Sequence, residues 1–430
     1  MPTPFTIQSR VKHARILGVV VTAIATAHTA HAQLPAASAA GFSMAGNYTA
    51  LARSYDAIAF NPAGLALGQP KLFAISLFSA SVNSGINPIK FSDIKAHENK
   101  LIPVSTRESW LQQIGTGRET GGTSGGFSIV ALSIKNFGAQ VGLIGGGEVS
   151  LNQDAAEALL FGNAGRTGSA RDFNFSGSNA NGSLFGVGAM SYAVPLGTNS
   201  SDRQFAIGVT AKYIRGIAAA RAADHGSTTT AELINVQFPA IYTDSTHVGN
   251  AGGGFGVDLG LSLVRSGTTY SVTARNVVNT FAWNTAAFTS RPGGFTFDGT
   301  TTDSDFDEQP YSNAPSTMRA AFEAEKFTPE IAAGVARAVR PSLLITADAS
   351  QRFGNGIGLT PKMKVGLGAE YTGLSVLALR GGAAAITDGF QGAVGVGLRV
   401  AGFEMSVGGM LRSINGNGET GFVFNLMSMR

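Results

Sequence analysis

From about residue 72 to the C-terminus, apolar side chains recur at every second position, and this regularity restricts the chain to β structure with one apolar face. In residues 394–400, Val394, Val396, Leu398 and Val400 share a face, while Gly395, Gly397 and Arg399 share the other. Phe255, Val257, Leu259, Leu261 and Leu263 oppose Gly256, Asp258, Gly260 and Ser262 in the same way. Phe205, Ile207, Val209, Ala211 and Tyr213 oppose Gly208, Thr210 and Lys212, and Phe403, Met405 and Val407 oppose Glu404 and Ser406. A soluble sandwich would show this alternation with its apolar face inward, so the pattern alone leaves two architectures open.

Loop lengths separate them. Strand-like segments fall at about 72–82, 126–135, 139–149, 183–194, 205–217, 252–264, 268–278, 330–339, 343–352, 362–371, 374–386, 390–400, 403–411 and 421–429. Connections after odd segments include 83–125, 150–182, 218–251 and 279–329, all long; those after even segments, such as 136–138, 265–267, 340–342 and 401–402, are short. Short turns at one end and long loops at the other are what a membrane barrel shows, with both termini in the periplasm. No run beyond the leader reaches the 18 or so uninterrupted apolar residues of a spanning helix; residues 374–386 are broken by Arg380, Gly381 and Gly382. The sequence therefore predicts an all-β fold: a transmembrane antiparallel β-barrel of about 14 strands, with residues 71–430 as barrel, in the bacterial outer membrane and in contact with its lipid.

The N-terminus carries an export address. Arg10, Lys12 and Arg15 precede the short apolar stretch 16–27, and Ala30-His31-Ala32 supplies a small-x-small cleavage pattern, so residues 1–32 read as a signal peptide. Its removal takes away three cations and no acid, and the net charge of +4 falls to +1. The remaining Lys and Arg form no stripe with interleaved aromatics, so no nucleic-acid partner is expected. With no cysteine, there is neither a disulfide framework nor thiol or Cys-metal chemistry.

Between the leader and the first strand lies the segment 33–70, in which Asp56 and Asn61 offer caps for turns and Pro62 turns Asn61 away from helical geometry. The run from Ser43 through Gly46 and Tyr48 to Ala52, followed by Asp56-Ala57-Ile58-Ala59-Phe60-Asn61-Pro62-Ala63-Gly64-Leu65-Ala66, resembles the N-terminal hatch of the long-chain fatty acid transporter (FadL) superfamily of outer-membrane barrels. Phe255-Gly256-Val257-Asp258-Leu259-Gly260, Ala274-Arg275-Asn276 and Gly366-Leu367-Gly368-Ala369-Glu370-Tyr371 are similar to barrel segments of its PorV-like and TraF-like branches. The resemblance implies a lumenal hatch over 33–70, gated around Asn61, Pro62, Ala63 and Gly64. One departure concerns the last residues, Met427-Ser428-Met429-Arg430, where many outer-membrane proteins end on an aromatic.

Catalytic chemistry finds little footing. Gly122-Thr123-Ser124-Gly125-Gly126 matches G-x-S-x-G but leads into a strand, which favours a glycine-rich loop over a nucleophile elbow. Asp303, Asp305 and Asp307 have calcium-loop spacing, yet Glu308 stands where Gly is required and Ala314 where the bidentate Glu belongs, so an EF-hand is rejected and the segment reads as a solvated acidic loop, with a looser divalent site as the alternative. His97, His225 and His247 lie in separate loops with no ligand spacing, and no metal, cofactor or enzymatic activity is expected.

Two external segments read as short helices. Ser105-Thr106-Arg107-Glu108 has the form of a capping box ahead of Trp110, Leu111 and Ile114, and residues 154–161, with Leu159, Leu160 and Phe161, end at Gly162. These six apolar residues either close the barrel mouth or capture an apolar ligand. Lys212, Asp258, Arg275, Asp348, Glu370, Arg380 and Arg399 fall on the small or polar face and are expected in the lumen. The resemblance implies passive uptake of a hydrophobic compound of fatty acid or hydrocarbon type. Its PorV-like and TraF-like branches imply an alternative, a non-transporting partner or scaffold in a secretion or conjugation assembly with protein partners at the external loops.

Overall fold

The computed structural model describes residues 34–68, 72–162, 166–167, 171–196, 203–230, 233–298, 300–354 and 361–429. The leader expected at 1–32 lies outside them. Fourteen long strands form the wall. The first seven are β1 (Ala74–Asn87), β2 (Arg118–Ile134), β3 (Phe137–Asn152), β4 (Asn179–Leu196), β5 (Arg203–Ala223), β6 (Gly252–Arg265) and β7 (Thr268–Asn279). The second seven are β8 (Glu330–Arg340), β9 (Leu343–Arg352), β10 (Met363–Tyr371), β11 (Leu377–Ile386), β12 (Gly389–Val400), β13 (Phe403–Ile414) and β14 (Asn417–Met429). Each strand pairs antiparallel with its sequence neighbours, and β14 returns to β1 through pairs such as Val423 with Ser81 and Met429 with Ile75. The cylinder is closed and leaves no edge.

Alternation decides which face meets lipid. Val365, Leu367, Leu379, Val394, Leu398, Met405, Leu411 and Phe422 are exposed on the outside, whereas Ser76, Gln140, Ser191, Thr210, Thr273 and Asn425 are buried inside. An apolar exterior on a closed antiparallel barrel is a lipid-facing surface, because lipid can satisfy no backbone group and every N–H and C=O must pair within the wall. The outside also carries an open concavity of about 1320 Å³ over β8–β14, floored by Ala333, Ala347, Ala349, Ala383 and Ala385. It belongs to the hydrocarbon layer and not to the lumen.

Turn chemistry fixes the register at the short ends. Ser266-Gly267 and Ala401-Gly402 both have positive φ at their two central residues, as a tight hairpin that follows strand twist requires. The long excursions at the opposite end are 88–117, 153–178, 224–251 and 280–329; after β9 the connections shrink, to Asn415-Gly416 between β13 and β14. The long-loop rule read from sequence thus holds for the first four external connections and lapses after β8, so the outer rim is high over one side of the barrel and low over the other.

The glycine-rich stretch 122–125, expected as loop, is strand: β2 begins at Arg118, and Ser124 pairs with Asn83 on β1 and Gly146 on β3. The cause is membrane geometry. This outer part of β2 needs no large outward side chain, so it carries no apolar alternation to reveal it. The external helix expected from a capping box at Ser105 begins instead at Val104, with Pro103 before it and no side-chain cap.

A lumenal socket and the segment it holds

Residues 34–68 run inside the barrel, nearly all of them buried. They build a short helix α1 (Ala39–Ser43), whose first turn is capped by Ser38 Oγ accepting from Ala40 N at 3.3 Å, and a second helix α2 (Ala57–Phe60). Asn61 then caps the 3₁₀ turn Pro62–Ala66, its Oδ1 accepting from Ala63 N at 3.1 Å, with Pro62 at the first position, where a missing N–H costs nothing. Asp56 makes no cap; its carboxylate accepts from the Tyr48 hydroxyl at 3.4 Å.

Glycine explains how a folded segment fits inside the wall. A Cβ on Gly208 would lie 2.4 Å from Pro62, on Gly260 2.0 Å from Asn61, on Gly334 3.1 Å from Ala50 and on Gly382 2.3 Å from Met44. Gly395 and Gly408 stand in the same relation to Ser43, at 2.0 and 2.4 Å. The wall has given up its inward side chains where the plug backbone passes, so close approach is the reason for Gly at these positions.

Polar side chains pin that backbone. Asn61 Nδ2 donates to Leu261 O at 3.2 Å and to Ser262 Oγ at 3.0 Å, Arg275 Nη2 to Phe60 O at 2.9 Å, and Gln140 Nε2 to Pro35 O at 2.6 Å. Thr49 N donates to Asp348 Oδ1 at 2.9 Å, Gln391 Nε2 to Ala45 O at 2.9 Å, and Lys364 Nζ to Gly46 O. Asn47 Nδ2 reaches Leu367 O at 2.9 Å and Ala383 O at 3.2 Å. Pro62, Ala63 and Gly64 are buried among Ala57, Leu65, Ala66 and Leu67 against Ala193 and Ala206 of the wall.

All seven sequence-predicted lumenal residues face the interior, in three places. Arg275 and Asp348 hold the plug and line the space above it; Arg275 also bonds Glu330 at 2.7 Å. Lys212 and Asp258 form a buried pair at 2.6 Å, joined by Asn276. Arg380 bonds Glu370 at 2.6 Å and Glu404 at 2.7 Å, and Arg399 bonds Glu404 at 2.9 Å, a charged ring at the end where the short turns lie. Sequence reasoning missed Lys364, Gln391, Arg412 and Glu330, although strand parity alone puts each on the inner face.

On the outer side of the plug is a cavity of about 140 Å³ lined by Leu34, Pro35, Phe42, Phe60, Ile144 and Met410, with Arg275, Lys364, Gln391 and Arg412 on its walls. Above it stands an aromatic cap. Phe185 of β4 packs at 4.9–5.5 Å on Phe281, Trp283 and Phe327, and Trp283 stacks on Phe322 at 5.1 Å. These rings and plug residues Leu34, Ile58 and Ala59 form one buried apolar cluster.

The predicted capture residues divide differently. Trp110, Leu111 and Ile114 are buried against Ala156, with Leu160 and Phe161 partly buried beside them, while Leu159 is 76% exposed. The first five therefore form the core of an external helical layer, and only Leu159 is open to solvent. Asp303 and Asp305 are exposed on a short external strand, Thr302–Asp305, and no group of residues suited to a metal occurs among the described residues.

Fold and lumen define a class: a 14-stranded membrane β-barrel closed around its own N-terminal segment, the architecture of outer-membrane barrels. No family model and no curated protein sequence matches the chain. Among solved structures it is similar to the P. putida toluene transporter TodX, at a TM-score of 0.53 and 11% identity over 92% of this chain and 99% of that one. A FadL homologue from Pseudomonas aeruginosa matches at a TM-score of 0.49 and 11% identity, covering 92% of this chain and 98% of its own. The CymD monoaromatic hydrocarbon channel matches at 0.48 and 8% identity over 93% and 98% of the two chains. The TodX comparison shows a shared fold, the outer-membrane β-barrel, along almost the whole length of both proteins.

Proposed function

We propose that the protein is a passive channel for small hydrophobic molecules across the bacterial outer membrane, with the plug as its hatch. The observation that carries this reading is the apolar column through an otherwise polar lumen. The cluster runs from Phe322 and Trp283 in the external loops, through Phe281, Phe327 and Phe185, to Leu34 and Ala59 at the cavity above the plug. An apolar cargo gains from the same surface, since an uncharged ring leaves water at about 25 cal/mol for each Å² it buries. The cavity, about 140 Å³, is close to the roughly 150 Å³ apolar cavity known to take up benzene, so one aromatic ring matches its size. The likeness of fold to a protein described as a toluene transporter supports the same class of cargo.

Cargo then enters past Leu159 and the aromatic cap, rests above the plug and leaves when the hatch shifts. Asn61, Pro62, Ala63 and Gly64 seat the plug on β5 and β6 through the bonds of Asn61 to Leu261 and Ser262 and the packing of Ala63 on Ala206. The test is uptake of labelled toluene and of oleate by vesicles containing the folded chain. Saturable uptake at least tenfold above vesicles with an unrelated closed barrel is expected for toluene, and equal rates would refute the channel.

A further inference from the structure

Taking the uptake reading as its basis, we propose that the gate is the stretch 42–47 of the plug and not the Asn-Pro-Ala turn, with Gln391 and Lys364 as its latch. Four neighbouring strands show why. Along β12 the inward residues run Gln391, Ala393, Gly395, Gly397, Arg399 from the outer end to the periplasmic end. Gln391 lines the cavity, Ala393 packs against Ala45, Gly395 backs Ser43, Gly397 faces Arg380 and Glu404, and Arg399 belongs to the charged ring. From Gln391 at the cavity to Arg399 in the ring is eight residues, about 26 Å of strand at roughly 3.3 Å per residue.

The same order recurs beside it. β10 runs Lys364 at the cavity, Gly366 and Gly368 at Asn47 and Met44, then Glu370 in the ring. β11 runs Ala384, Gly382 at Met44, then Arg380; β13 runs Met410 at the cavity, Gly408 at Ser43, then Glu404. Residues 42–47, with the side chains of Ser43, Met44 and Asn47, lie between the cavity and a ring whose Arg399 side chain is 33% exposed. Beside β4 and β5, α2 and the Pro62–Ala66 turn pack on Ala193 and Ala206.

The stretch is also poised to move. Ala45, a residue with a Cβ, is held at φ 54 ahead of Gly46 at φ 76, and the two carbonyls there are tied by Gln391 and Lys364. The Ser43 hydroxyl is buried with no hydrogen-bond partner among the described residues. Once the stretch lifts, Gly366, Gly368, Gly382, Gly395 and Gly408 leave no side chain to fill the space, and the cavity meets the ring. Both latching bonds end on backbone oxygens that lumenal water can serve instead, and the bonds of Asn47 Nδ2 to Leu367 O and Ala383 O break with them.

The chain contains no cysteine, so an introduced pair stands alone. A Cβ on Gly368 would lie 3.4 Å from Asn47 Cβ, near the separation of about 3.8 Å usual in a disulfide. Oxidised Asn47→Cys/Gly368→Cys should lose at least tenfold in toluene uptake by vesicles and recover on reduction. Oxidised Ile58→Cys/Gly138→Cys, which pins α2 to β3, should carry toluene at its reduced rate. Lys364→Met/Gln391→Leu should raise single-channel conductance in planar bilayers several-fold. A lock at 47 and 368 that leaves uptake unchanged, a lock at 58 and 138 that abolishes it, or a latch variant with wild-type conductance overturns the assignment. If wild type carries no toluene, the uptake reading fails by itself, and the conductance of the latch variant still decides where the plug opens.

Discussion

Removing the ammonium of Lys212 should cost far more than a lumen-facing lysine in contact with water would. Lys212 and Asp258 are 3% and 4% exposed, and Lys212 Nζ lies 2.6 Å from Asp258 Oδ1 and 2.7 Å from Asn276 Oδ1. The same Asp258 oxygen accepts from Asn276 N at 2.8 Å. Lys212→Met keeps the length of the stem and leaves a buried carboxylate without its cation, for which about 3–5 kcal/mol of lost stability is expected. Adding Asp258→Asn removes the charge and retains a carbonyl for the Asn276 N–H. The remaining deficit is then one buried acceptor on Asn276, worth about 1–3 kcal/mol, so the double variant should be more stable than Lys212→Met alone. Urea titration of the folded protein in vesicles, followed by Trp emission, gives the three differences, and the coupling between the sites should exceed about 1.5 kcal/mol. If the double variant instead loses as much as the two single variants together, the pair is not a buried electrostatic unit and the argument fails.

The lipid-facing assignment predicts a depth dependence: Leu367→Arg on β10 should cost about 2–4 kcal/mol in the same titration, and Met363→Arg, at the outer end of that strand, about 0–1 kcal/mol. Equal costs would deny that Leu367 lies in hydrocarbon. In the external helix Gln153–Phe161, burial pushes the Glu157 carboxyl up, but its hydrogen bond to Arg171 at 2.6 Å and the backbone N–H of Arg166 outweigh burial and hold it below the ordinary carboxylate range. The stability this carboxylate contributes is therefore complete above its unfolded pKa and is lost as pH falls through the depressed folded value. Hydrogen exchange in this helix should rise as pH is lowered below the carboxylate range, after correction for intrinsic rates, and Glu157→Gln should remove the extra rise; an unchanged profile would refute the pairing.

Strand alternation was legible because lipid imposes it locally: Val394, Val396 and Leu398 announce their shared face without reference to any other strand. The outer part of β2 was not, because Gly122 to Gly125 lies beyond the reach of that constraint. The interior was legible only as a set of inward positions. Which of them pair depends on register, so Lys212 and Asp258, 46 residues apart, come together only through the alignment of Lys212 with Gly256 and Thr210 with Asp258. The latch residues Gln391 and Lys364 were obscured for the same reason, since their partners at Ala45 and Gly46 lie more than 300 residues away. Glycine shows most clearly where sequence reading stops. Within any one strand Gly382, Gly395 or Gly408 reads as a weak point, since glycine lacks packing and costs backbone entropy. Only the closed barrel shows that these separate absences form a single surface matching the backbone of residues 42–47. The 57 glycines of this chain are therefore in part a record of a shape held elsewhere in the sequence.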